Sequence, residues 1–282
     1  MGKKFRKNQA PTRPPRRDSP GETDAPQTGE EPRRPPARGS KGNERLYGIT
    51  PVEAALESRK RKIRVVYLKE GQLSPRLQEL AEEAHDQAIR VEQASNTTLE
   101  KLAGNPTHQG VVADCGPLPT LPERDALALA ESGQPLLIAL DEIQDPQNLG
   151  AIIRSCAVFG ADGVVLPRHH GAPTGPATSK ASAGWLERFP IYDAPNLSRF
   201  LDGARKAGFW IAGTAQEGDT PLPTFRRDRP LVLVLGNEGK GLRQLVRSKC
   251  DFTLAIPTSG KGGLNVSAAT AVLMYQLTLP NS

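Results

Sequence analysis

Three stretches of the chain concentrate side chains that can do chemistry. DEIQDPQNLGAIIRSC (141–156) carries Asn148 and Arg154. LVLVLGNEGKGL (231–242) sets Glu238 among Gly236, Gly239 and Gly241. IPTSGKGGLNVSAATAV (256–272) carries Asn265 and Ser267 behind another run of glycines. Each follows an aliphatic segment that reads as a buried strand. Glycines in such loops let the backbone approach a ligand closely, and open α/β sheets bind ligands beyond the carboxyl ends of their strands. Backbone groups and neutral polar side chains with one cation and one anion suit an uncharged or zwitterionic organic cofactor better than a triphosphate.

The usual phosphate loops fail on the residues. A P-loop requires Gly-Lys followed by Ser or Thr, whereas Gly239-Lys240 is followed by Gly241 and Gly260-Lys261 by Gly262. The dinucleotide fingerprint G-x-G-x-x-G belongs after the first strand of its unit. Here the spacing is reversed and the loop comes late. No histidine lies near these stretches to build a Ser-His-Asp or Cys-His arrangement. Cys115, Cys156 and Cys250 are far apart and share no metal-ligand spacing with the four histidines, so neither a disulfide framework, nor zinc, nor any other metal is expected.

The elements that position these loops follow from periodicity. Leu46 begins the ordered part: a short strand or turn, then a helix capped at Thr50 with Pro51 at its first position. Strand 63–68, helix 74–87, strand 89–91, helix 95–103 and strand 110–115 complete a small α/β domain over 45–116. PLPTLP (117–122) has linker composition, and we place the linker at 117–133 with a helix at its far end. From 134 to 282 strands and helices alternate. Strands are expected at 136–143, 163–167, 189–193, 209–214, 231–235 and 252–257. Helices are expected at 148–159, 176–187, 196–207, 241–249 and 265–277. This alternation predicts an α/β fold with a mostly parallel sheet covered on both faces.

Residues 1–44 are rich in Pro, Arg, Gly and Glu and nearly free of aliphatics. Such a segment buries too little surface to offset its ordering entropy, so a disordered tail is expected. The first 45 residues carry 12 of the 37 Lys+Arg and 6 of the 31 Asp+Glu, so the net charge of +6 belongs to this segment and the remainder is balanced. A basic tail attracts polyanions without sequence preference, while a neutral body must hold any nucleic acid through local patches. Arg59-Lys60-Arg61-Lys62 and Arg90 are candidate RNA contacts. No apolar run approaches the roughly 20 residues of a membrane span, and the N-terminus lacks the apolar core of a secretory signal. A cytoplasmic protein with reduced thiols is expected.

Together, DPQNLGAIIRSC, LVLGNEGKGL and IPTSGKGGLNVSAATAVLMYQ resemble, in order and context, the three motifs of the SpoU (TrmH) family of RNA 2′-O-methyltransferases. LYGITPVEAALE and HQGVVADC resemble that family's N-terminal substrate-binding domain. The resemblance spans roughly 46–279, and the two-domain layout is most similar to the branch acting on guanosine of large-subunit (23S) ribosomal RNA. It implies a C-terminal SPOUT domain with a deep trefoil knot, a topology no periodicity argument would propose. It also implies a homodimer formed through the knot region and a bent S-adenosylmethionine cradled by Thr214–Gln216, the 236–242 loop and Ile256–Asn265. The cofactor-binding residues are then Thr214, Ala215, Gly236, Asn237, Gly241, Ile256, Leu264 and Asn265.

Methyl transfer to a ribose hydroxyl is an in-line displacement that needs oxygen, carbon and sulfur held in line and the hydroxyl proton managed. Arg154 matches the family's catalytic arginine. A guanidinium is hard to deprotonate, so binding a neighbouring phosphate and stabilising the developing alkoxide suits it better than acting as a base. Asn148 is expected to orient Arg154 or to cap its helix, and Glu238 to pair with Arg154 or hold the loop. Asn265 and Ser267, at the start of the last helix, are expected to orient the hydroxyl or the cofactor. One position departs from the family: its usual Ser-Leu-Asn is Gly263-Leu264-Asn265 here, with Thr258, Ser259 or a water left to supply the hydroxyl. The alternatives are a transfer-RNA substrate, a resistance-type methylation of ribosomal RNA, and a non-catalytic RNA-binding or ribosome-assembly protein on the same fold.

Overall fold

The computed structural model describes residues 42–260 and 262–279. The tail expected over 1–44 lies outside the described residues up to position 41. The first strand, β1 (Glu44–Tyr47), is followed by α1 (Ile49–Ser58), β2 (Ile63–Lys69), α2 (Pro75–Asp86), β3 (Arg90–Ala94), α3 (Asn96–Ala103) and β4 (Val111–Cys115). These strands form one sheet in the order β1-β4-β2-β3, antiparallel except for the β2–β3 pair. Leu46, Val52, Leu56, Val66, Leu68, Leu77 and Leu80 are enclosed between this sheet and its helices. The cap of α1 differs from expectation. Gly48, at φ 91, precedes the helix, and Thr50 lies inside its first turn. A residue at that φ is strained unless it is glycine, so the turn out of β1 sets the helix start.

The second sheet contains β5 (Leu121–Pro122), β6 (Leu136–Leu140), β7 (Gly163–Pro167), β8 (Ile191–Ala194), β9 (Trp210–Thr214), β10 (Thr220–Pro221), β11 (Leu231–Leu235) and β12 (Phe252–Ala255). Its order is β10-β12-β9-β11-β6-β7-β8-β5, and every pair is parallel. The helices are α4 (Glu123–Ala128), α5 (Pro146–Val158), α6 (Pro176–Ala181), α7 (Trp185–Arg188), α8 (Leu197–Lys206), α9 (Gln244–Arg247) and α10 (Val266–Thr278). Successive residues of β6 and β11 feed opposite cores. Leu136, Ile138, Leu231 and Leu233 lie in one, and Leu137, Ala139, Val232 and Val234 in the other. Continuous aliphatic runs are the price of burial on both faces.

Two expected helices are shorter. The helix expected over 176–187 is interrupted between α6 and α7, where Ala183 and Gly184 take positive φ (50 and 80). The helix expected over 241–249 shrinks to α9. Gly241 at φ 66 closes a tight turn, with backbone hydrogen bonds from Asn237 N to Gly241 O (3.1 Å) and from Gly241 N to Asn237 O (2.8 Å). Residues 121–132, expected to hold a helix after a linker, supply β5 beside β8, then α4 and a 3-10 turn.

Candidate active site

The carboxyl ends of the adjacent strands β6, β11, β9 and β12 gather the three motif loops. Asp141 follows β6 directly and is fully buried. It accepts hydrogen bonds from Arg243 N (2.9 Å) and Arg243 Nε (2.7 Å), with Arg243 Nη2 at 2.6 Å. A buried carboxylate needs such partners, and this one ties the far end of the glycine loop to the end of β6. Glu142, next along, takes a left-handed conformation (φ 57) and its carbonyl accepts from Asn237 Nδ2 at 3.2 Å. Asn237 Oδ1 in turn accepts from Gly239 N (3.0 Å) and Lys240 N (3.3 Å). Neither Asp141 nor Arg243 stood out in the sequence. The signal was present, since an acidic residue directly after a five-residue aliphatic strand must find a partner.

Four of the expected catalytic residues meet around one carboxylate oxygen. Glu238 Oε1 accepts from Asn148 Nδ2 (3.0 Å), from Asn265 Nδ2 and from Val266 N (3.3 Å). Asn265 Nδ2 also reaches Asn148 Oδ1 at 3.0 Å. Asn265 caps α10 through Oδ1, which accepts from Ser267 N (2.8 Å) and Ser267 Oγ (2.5 Å). One network thus joins all three motifs, and Glu238 Oε2 takes no part in it.

Arg154 stands apart, and two expectations change. It is exposed and makes no hydrogen bond or ion pair with any described residue. Asn148 does not orient it, and Glu238 does not pair with it. The reason is helical geometry: six residues turn about 600°, which places positions 148 and 154 roughly 120° apart around α5. Asn148 faces the loops while Arg154 shares the outer face with Val158, which is 61% exposed. Asn148 is not the helix cap either. Asp145 is, accepting from Gln147 N (3.1 Å) and Asn148 N (3.3 Å) ahead of Pro146 at the first position. Capping by Asp145 frees the Asn148 carboxamide for Glu238.

The expected cofactor residues line the same edge. Thr214 Oγ1 donates to Val234 O (3.1 Å) and Ala215 N to Leu254 O (3.1 Å), so both lock β9 to its neighbours. Gly236 is buried, and a Cβ there would lie 2.5 Å from the Gly241 carbonyl carbon, so only glycine lets the loop fold back on itself. Ile256 packs on the core, while Leu264 exposes 46% of its surface. A side chain at Gly263 would meet Gln216 Nε2 at 2.1 Å, so Gln216 covers the position where the family carries serine. Thr258 and Ser259 are exposed and make no hydrogen bond with described residues. Apolar Leu264 and Ile256 beside carboxamides, one carboxylate and glycine backbone fit a zwitterionic sulfonium nucleoside.

The basic cluster divides. Arg90 is exposed and pairs with Glu92. Arg61, expected to face RNA, is buried against Glu187, because its guanidinium finds all its partners inside the protein. Burial pushes the Cys115 and Cys250 thiols up to about 11 and the Cys156 thiol higher still, so all three are neutral and poor nucleophiles at physiological pH. Among the described residues no cluster of His, Cys, Asp and Glu has metal-binding geometry, and no helix is long and apolar enough to cross a membrane.

Residues 135–275 match the SpoU rRNA Methylase family, and residues 45–121 match the RNA 2′-O ribose methyltransferase substrate-binding family. The chain belongs to the SpoU rRNA methylase family. Among its relatives is the 23S rRNA (guanosine-2′-O-)-methyltransferase RlmB of Pseudomonas aeruginosa, 38% identical over 237 residues covering 83% of this chain and 95% of the relative. Its namesake in Acinetobacter baylyi is 39% identical over 83% of this chain and 96% of its own. Among solved structures, the SpoU methyltransferase AviRb of Streptomyces viridochromogenes in complex with AdoMet superposes with a TM-score of 0.70 at 26% identity, covering 84% of this chain and 89% of that one.

Proposed function

We propose that this protein transfers a methyl group from S-adenosylmethionine to the 2′-hydroxyl of a guanosine in large-subunit (23S) ribosomal RNA. The observation that carries the reading is the Asn148–Glu238–Asn265 network, which fastens three family motifs at one strand edge, at the start of the helix whose outer face carries Arg154, unpaired among the described residues. S-adenosylmethionine supplies an electrophilic methyl on a sulfonium. Residues 214–216, 236–242 and 256–265 would hold it, with Leu264 and Ile256 supplying apolar surface and the loop backbone supplying polar groups. Glu238 Oε2, which takes no hydrogen bond from the described residues, would accept from a ligand hydroxyl or ammonium group. Arg154, with no partner among the described residues to compete, is available to an RNA phosphate and to charge developing on the attacking oxygen.

The chain's path supports the knot. The 214–219 segment lies against β12, where Gly218 meets the backbone of 253–255, and against the loop that follows, where Gly263 meets Gln216. On the other side the end of that loop and the start of α10 reach Glu238 through Asn265 and Val266. Val158, one turn from Arg154 on α5, and Val272 and Tyr275 on α10 are exposed apolar residues, and Tyr275 packs edge-on against Phe159 at the end of α5. These exposed apolar side chains support a homodimer packed through α5 and α10. A cytoplasmic location agrees with a ribosomal substrate.

The test is direct. Purified protein, labelled S-adenosylmethionine and total RNA from cells lacking the gene are expected to yield alkali-resistant label at one 23S guanosine. Label in transfer RNA alone would move the substrate, and intact cofactor binding without any label would favour an RNA-binding or assembly role.

A further inference from the structure

Arg61 and Glu187 both have side-chain exposures of 0%, yet they come from different family segments: Arg61 from the turn between α1 and β2, Glu187 from α7. Their contact is a two-bond fork, Nε to Oε2 at 2.6 Å and Nη2 to Oε1 at 3.2 Å. The remaining donors are also used. Nη1 donates to Glu44 Oε2 (2.6 Å) and Gly116 O (3.1 Å), and Nη2 to Thr174 O (3.2 Å). A guanidinium has five N–H donors, and here all five have acceptors. Burial works against its charge, but attraction and hydrogen bonding from Glu187, helped by Cys115 and Glu44, win and raise its pKa above the ordinary value.

The surrounding contacts also cross between the two segments. Lys60 Nζ donates to Arg188 O (2.6 Å), Lys180 Nζ to Gln109 Oε1 (2.6 Å), and Arg188 pairs with Glu57. A Cβ at Gly184 would lie 2.8 Å from both Ala54 Cβ and Thr50 O, so α1 sits directly on the α6–α7 turn. That turn in turn supports the helix bearing Arg154, since a Cβ at Gly150 of α5 would lie 2.4 Å from Ala181 Cβ and 2.8 Å from Ser182 N.

A buried ion pair is seldom worth more than apolar packing of the same volume, but it is satisfied in only one geometry. An apolar contact tolerates sliding, whereas a five-bond guanidinium does not. We propose that Arg61 is a positioning residue: through Glu187 it fixes the small domain's RNA-binding face at one distance and orientation from α5, so that the RNA element held by that domain determines which ribose reaches Arg154. The inference rests on the RNA methyl-transfer activity.

The test replaces both charges, Arg61→Met with Glu187→Met, because a single change strands a buried charge. In the paired variant KM for the ribosomal RNA substrate is expected to rise about tenfold or more while kcat changes less and cofactor affinity does not change. Label is also expected to spread to neighbouring riboses. Arg61→Lys, which keeps the charge but not the fork, is expected to fall between. An unchanged KM and unchanged target in the paired variant would overturn the proposal. A second measurement does not depend on the variant folding. In the Cys250→Ser background, spin labels at Asp86→Cys and Lys206→Cys, diluted with unlabelled protein, are expected to report one narrow distance with and without RNA. A broad or RNA-dependent distribution would equally overturn the fixed geometry. Absence of all methylation by the unaltered protein would instead remove the activity, leaving the distance result standing.

Discussion

Glu238 was expected either to pair with Arg154 or to hold its loop; it holds the loop, which assigns the two residues different work. Glu238 is held by two carboxamides and a backbone amide, so its removal loosens the joint between all three motif loops. Arg154 has no partner to lose within the described residues. Arg154→Ala is therefore expected to lower methyl transfer by about a hundredfold or more, in the range seen for removal of a group that stabilises developing charge, with cofactor affinity nearly intact. Glu238→Ala is expected to weaken cofactor binding as well. Isothermal titration with S-adenosylmethionine beside a single-turnover methylation assay separates the two, and an Arg154→Ala enzyme with unchanged turnover would refute its role. The residue types were readable from the motifs. Their pairing was not, because it depends on which way each side chain leaves α5. Six residues are not a whole number of helical turns, and Asp145 took the capping role that Asn148 seemed to offer.

At the level of elements, the close seat of α5 on α6 gives Gly150 an unusual sign. In an exposed helix interior, Gly→Ala gains up to about 1 kcal/mol from propensity. Here the new Cβ would meet Ala181 Cβ at 2.4 Å and the Ser182 backbone nitrogen at 2.8 Å. Backbone cannot step aside as a flexible side chain can, so Gly150→Ala is expected to destabilise by about 1–3 kcal/mol through overpacking. A Tm raised by the substitution would contradict this packing. Strand and helix alternation was legible because both-face burial demands unbroken aliphatic runs such as LLIAL and LVLVL. The break between α6 and α7 was not, because ATSKASAGW has good helical propensity up to Gly184 and only the arrival of α1 imposes the turn.

For the whole molecule, the homodimer proposed above would rest on the exposed apolar residues of α5 and α10. Tyr275 is 57% exposed and stacks edge-on against Phe159 with ring centroids 6.2 Å apart. A charge in that surface would be desolvated in any dimer. Tyr275→Asp is expected to run as a monomer in sedimentation velocity and to lose at least tenfold in methylation, about the cost of more than 1 kcal/mol at the completed site, with an unchanged circular dichroism spectrum. A dimeric and fully active Tyr275→Asp would place the interface elsewhere.

The sequence by itself determined most of the element order and the parallel sheet, which follow from local patterns of aliphatic runs and glycines, and the family and the three motif loops, which follow from the resemblance of the motifs. Tertiary structure alone decided the partnerships. Glu238 joins Asn148 and Asn265 rather than Arg154, Asp141 holds Arg243, and Arg61 turns inward to Glu187 instead of outward to RNA. A charged residue carries the same letter on a solvated face as in a buried fork. What separates the two is whether distant segments bring enough acceptors to replace water, and no local pattern encodes that.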